Sequence, residues 1–104
     1  MTREEAKTLK LFQIVRWNVN ILRDGIDPEH EWLLPYCNKL AVVTQKIIWD
    51  DGGEEIHLRF PEKKFSHKVF YNDINELLSD YEKGRDITLH EGFDTTADCI
   101  DLIF

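Results

Sequence analysis

The sequence predicts an α+β fold in which N-terminal helices pack on a small, mostly antiparallel sheet with one further helix. Three observations predict it. Apolar residues recur at helical spacing through the first third of the chain, alternating β-branched and aromatic residues flank a pair of glycines in the middle, and a capped amphipathic helix separates the strand-like runs of the second half. At 104 residues the chain has the length of a single domain, 1–104. Its hydrophobic content of 42%, with Trp17, Trp32 and Trp49, sets it apart from chains too polar to bury a core.

Thr2-Arg3-Glu4-Glu5 matches a capping box, in which a hydroxyl and the Glu three residues on satisfy exposed backbone donors at a helix start. A helix is predicted over 3–23, with Leu9, Phe12, Val15, Val19 and Leu22 as its apolar stripe and Asp24-Gly25 as its end. Leu9, Leu11, Val15, Trp17, Val19 and Ile21 also share parity, the pattern of a strand; Gln13 interrupts it, and the length exceeds an ordinary strand. Asp27-Pro28-Glu29 marks a second helix start, with Pro where its missing N–H does no harm. Pro35 kinks or restarts that helix, and Tyr36, Leu40 and Val43 carry its buried stripe to about Thr44.

From Gln45 the pattern turns β-rich. Ile47-Ile48-Trp49 and the alternating Ile56, Leu58 and Phe60 predict a hairpin around a two-residue Gly52-Gly53 loop, with Trp49 opposite Ile56 and Ile47 opposite Leu58. Residues 68–71 predict a third strand pairing with 54–60, in a register that sets Phe60 beside His67 and His57 beside Phe70. Asn72 caps a helix bearing Ile74, Leu77, Leu78 and Tyr81, which Gly84 stops. Ile87–His90 reads as a strand, and Cys99–Phe104 as a final strand, with a short helix as the alternative.

The net charge is −7, and its distribution says more than its size: residues 1–49 carry 7 basic and 6 acidic groups, residues 50–104 carry 6 basic and 14 acidic. The acidic half argues against a phosphate-binding surface and for a basic protein partner. Two acidic sets are candidate partner-binding residues. One is the hairpin tip, Asp50, Asp51, Glu54 and Glu55; the other is Asp73, Glu76 and Asp80, spaced to lie along one helix face. The tip acids lack the alternating ligand spacing of a calcium loop, so the tip is expected to be a solvated turn or an anionic prong rather than a metal loop. His30, His57, His67 and His90 show no zinc spacing, and His57 and His67 are not expected to converge. Neither a metal nor another cofactor is expected.

Cys37 and Cys99 are expected to be free thiols, since Met1 leads into charged residues rather than a signal core and the chain reads as soluble and cytoplasmic. No catalytic signature is present. The expected function is therefore a small acidic, non-enzymatic protein-binding module, an inhibitor or immunity-type protein that docks a nuclease, toxin or other nucleic-acid-handling partner. Two alternatives stand beside it: a small enzyme with a His/Cys or carboxylate site, and a nucleic-acid accessory protein using Phe65 and the bases of loop 62–68.

Overall fold

The computed structural model describes residues 1–19, 28–63, 70–83 and 87–103, and shows an α+β fold built on an antiparallel sheet. The elements are α1 (Arg3–Lys7), β1 (Ile14–Trp17), a 3-10 segment (Pro28–Tyr36), β2 (Leu40–Ile48), β3 (Glu54–Lys63), α2 (Ile74–Glu82), β4 (Ile87–Thr95), a 3-10 turn (Ala97–Cys99) and β5 (Ile100–Leu102). The five strands are ordered β4-β3-β2-β1-β5, and a single bridge from Glu62 to Phe70 adds a short sixth segment. No helix among the described residues is long and apolar enough to cross a membrane.

The predicted N-terminal helices are the main correction. The capping box forms as expected, with both Thr2 and Glu5 engaged, but the helix it opens ends at Lys7. Phe12 then takes a left-handed backbone, φ 67, which a helix cannot contain, and its side chain stays exposed. Beyond it the parity pattern prevails: Val15 and Trp17 are buried while Ile14 and Arg16 alternate with them. The strand wins because it has partners on both sides, β2 and β5, whose ladders no local spacing rule registers. Residues 20–27, including the Asp24-Gly25 stop and the Asp27 cap, lie outside the described residues.

The predicted kinked helix to Thr44 is likewise corrected. Only Pro28–Tyr36 is helical, as a 3-10 segment with Tyr36 its one buried residue, and Asn38 in a left-handed turn leads into β2. Leu40, Ala41, Val42 and Val43 are all buried, four in a row, as a central strand covered on both faces requires. A helix would have turned one of them to solvent.

Alternation gives the sheet two distinct faces. On the first, Val15, Trp17, Ala41, Val43, Ile56, Leu58, Phe60 and Ile100 join Ala6 and Leu9, Tyr36, Phe70 and Ala97 in one core. Tyr36 sits at its centre, with ring centroids 4.7 Å from Phe60, 5.0 Å from Phe70 and 5.5 Å from Phe93. On the second face α2 covers only one end: Leu77 packs with Leu40 and Tyr71, and with Ile14, Ile74, Ile87 and Ile103 around them. The other end of that face is polar.

The β2–β3 hairpin forms in a register different from the predicted one. Ile48 pairs with Glu54, Ile47 with Glu55 and Lys46 with Ile56, so the connection is Trp49–Gly53 rather than Gly52-Gly53 alone. Asp51 explains the longer loop: its carboxylate accepts from Gly53 N, 3.2 Å, while Trp49 N donates to Gly53 O, 2.9 Å, and only Gly52 takes a positive φ, 103. Lys46 therefore lies on the core face, where its ammonium donates to Lys7 O, 2.6 Å, at the carbonyl end of α1. A bulge at Thr44 restores Val43 to a position opposite Leu58, so both apolar side chains face the core.

The predicted third strand is reduced to its last residues. Phe70 bridges Glu62 rather than His57, Tyr71 O accepts from Leu40 N, and residues 64–69 lie outside the described residues. The capped helix forms, with Asp73 rather than Asn72 as its cap; the Gly84 stop lies outside the described residues. The predicted strand 87–90 continues to Thr95, and the last segment is a strand over Ile100–Leu102. Cys37 and Cys99 are free and half-buried.

Candidate functional site

The two predicted acidic sets do not form one surface. β3 runs from Glu54 at the hairpin tip to Lys63 beside α2, which separates the sets by roughly 30 Å at the rise of an extended strand. The helix acids are also occupied. Asp73 caps α2 by accepting from Asn75 N, 2.9 Å; Glu76 pairs with Lys63; and Asp80 accepts from the Tyr71 hydroxyl, 2.8 Å. Asp73 thus closes the helix start, while Glu76 and Asp80 tie α2 to Lys63 of β3 and to Tyr71, so all three acids of the predicted face have intramolecular contacts.

At the tip the four acids take three different positions. Glu54 faces inward and accepts from Ala97 N, 3.2 Å, tying the 3-10 turn before β5 to the hairpin. Asp50 and Asp51 are exposed in the turn that follows Trp49, itself 45% exposed. The tip is anchored from below, because Arg3 donates to Trp49 O and is thereby committed to α1 and the hairpin.

Glu55 points to the polar end of the second face, where it lies with His57 of its own strand and Asp94 of β4. β3 places His57 two residues on, on the same face, and the ladder sets Asp94 of β4 directly opposite His57. Asp94 Oδ1 lies 2.7 Å from His57 Nδ1, and Glu55 Oε1 lies 3.0 Å from Nε2. Nε2 is buried yet makes no hydrogen bond, so the nearby Glu55 oxygen stands off the N–H axis: an ion-pair distance without hydrogen-bond alignment. Among the described residues these three offer donor atoms within 4.8 Å of one another.

The local backbone is shaped for this. Leu58 pairs with Phe93 but Phe60 with His90, so residues 91 and 92 stand opposite Arg59 in a second bulge. A Cβ at Gly92 would meet Leu58 O at 1.8 Å, which only glycine avoids. The Thr44 bulge in β2 and the Gly92 bulge in β4 flank His57, and between them lies a cavity of about 390 Å³ lined by Thr44, Gln45, His57, Arg59, Asp94 and Gly92 among others. Bulges beside a polar depression are a common way for a sheet to re-aim side chains.

His57 and His67 were expected not to converge; His67 lies outside the described residues, as do Lys64, Phe65 and Lys68 of the basic loop. His90 lies on the other face, 3.5 Å from Glu62 and 6.0 Å from the Tyr36 ring centroid. His30 is exposed on the 3-10 segment. The Glu55-x-His57 alternation was the available sequence signal, since i and i+2 on a strand share a face; Asp94 carried none. Comparison with protein-family models, curated proteins and solved structures finds no match for this chain.

Proposed function

We propose that the protein is a small acidic, non-enzymatic binding module that docks a basic protein partner through the tip of the β2–β3 hairpin. One observation carries this reading: Trp49, exposed and with its carbonyl held by Arg3, is followed directly by two exposed acids, Asp50 and Asp51. A Trp beside acids suits Arg and Lys side chains twice over, by cation–π contact with the ring and by charge pairing with the carboxylates. Aromatic anchors of this kind carry a large share of the energy in protein interfaces. The net charge of −7 steers such a partner from a distance. A phosphate-binding surface of a nucleic-acid-handling protein has the matching basic character, and a hairpin seated on it would block its ligand, as an inhibitor does.

The test is retention of proteins from a native cell extract on immobilised wild-type chain, on Trp49→Ala, and on the double variant Asp50→Lys with Asp51→Lys. A basic protein held at low salt and released at high salt is expected on the wild type, reduced at least about tenfold on both tip variants. Glu76→Lys, at the far end of β3, should leave it in place. Equal retention on the tip variants, or loss only with Glu76→Lys, would remove the tip from the interface.

A further inference from the structure

We infer that Glu55 and His57 form a site for a zinc-class divalent cation, with Asp94 holding the imidazole in the orientation that the site needs. The inference is independent of the docking reading, since it concerns the polar end of the sheet rather than the exposed tip.

The protons argue it first. With the ring proton on Nδ1, the nitrogen nearer a carboxylate (2.7 Å to Asp94 against 3.0 Å from Nε2 to Glu55), Asp94 faces the protonated side of the ring. In the neutral ring Nε2 then presents a lone pair. That lone pair is buried, has no hydrogen-bond donor, and faces a second carboxylate 3.0 Å away. Two lone-pair donors at that separation are stabilised by a shared cation.

The geometry argues it second. Nitrogen and oxygen ligands bind zinc at about 2.0–2.2 Å, so two ligands 3.0 Å apart subtend roughly 90° at one ion, an ordinary ligand–metal–ligand angle. For such a pair the oxygen must lie roughly 45° off the nitrogen's lone-pair axis when both bonds are near 2.1 Å. The off-axis position that spoils a hydrogen bond is thus the one that a shared ion requires. A metal-bound imidazole whose other nitrogen meets a carboxylate is the usual outer-shell arrangement, and it raises the ligand's basicity. His57 and Asp94 also line the cavity between the two bulges.

The experiment is calorimetric titration of the apo chain with Zn²⁺, paired with ¹⁵N NMR of the His57 ring. One ion per chain is expected at micromolar affinity, with the Nε2 resonance moving on binding and Nδ1 keeping its proton. Glu55→Gln, close to isosteric, and His57→Ala should each weaken binding at least about a hundredfold, and Asp94→Asn by about 10- to 100-fold. Asp51→Asn should change nothing. Circular dichroism establishes that each variant is folded before it is scored. Stoichiometric binding that survives both Glu55→Gln and His57→Ala, movement of Nδ1 instead of Nε2, or no binding at tens of micromolar Zn²⁺ would overturn the assignment.

Discussion

The two faces of the sheet use the same strands to different ends. On the aromatic face Tyr36, Phe60, Phe70 and Phe93 interlock with Val43, Ile56 and Leu58, so shape fixes each side chain. On the opposite face α2 covers one end, and Glu55, His57, Arg59 and Asp94 occupy the rest with charge contacts and open space. The comparison teaches that stability and chemistry are divided across the thickness of one sheet: the buried face carries the energy that lets the polar face keep carboxylates close to one another.

The largest expected effect tests that division directly. Phe60 is fully buried, and Phe60→Ala should cost about 3–5 kcal/mol, whereas Gln45→Ala on the polar face should stay within about 0.5 kcal/mol, both read from urea denaturation midpoints. Comparable losses for the two would show that the polar face is part of the load-carrying core. A smaller effect is expected where the faces meet. Gly92→Ala places a methyl against Leu58 O and the strands must part, at about 2–3 kcal/mol, near the upper end of overpacking costs. Because Asp94 follows on the same strand, the Asp94–His57 contact should loosen as well, visible as a change in the His57 ring ¹⁵N shifts. A Gly92→Ala variant of full stability would mean that the bulge is dispensable.

The smallest effect sharpens the contrast by pH. Burial first, and then the Glu62 charge, push the Tyr36 phenol above its ordinary value of 10.0. The folded state holds that proton more tightly than the unfolded state does, so the stabilisation is fully present below pH 10 and is lost as pH rises toward the folded value. Denaturation midpoints should therefore fall above pH 10, and Tyr36→Phe should flatten that fall while leaving neutral-pH stability nearly unchanged. An identical alkaline slope in the variant would place the titrating group elsewhere.

Local signals in the sequence were dependable. The Thr2–Glu5 capping box, the Asp73–Tyr81 amphipathic helix and the hairpin around the glycines all rest on contacts between near neighbours, and all three form. The second helix and the hairpin stray only where one side chain decides, Asp73 capping in place of Asn72 and Asp51 accepting from Gly53 N, whereas the helix that the capping box opens stops at Lys7, far short of the expected 3–23. The acids of α2 were legible as a helix face but not as contacts, because Lys63 and Tyr71 reach that face only through the fold.

By itself, then, the sequence determined the α+β class, the Thr2–Glu5 capping box, the place of the hairpin and of α2, and the acidic balance, since these depend on composition and on neighbours a few positions apart. Only the tertiary structure decided that Ile14–Trp17 and Leu40–Val43 are strands. Helical spacing and strand parity coexist in those residues, and the ladders that β1 makes with β2 and β5 settle the choice through hydrogen bonds between distant segments. The same is true of the polar site. Glu55 and His57 share a face by alternation alone, but Asp94 meets them through the register of β3 on β4, which the Gly92 bulge sets; pairing register is a property of two strands and is written in neither one.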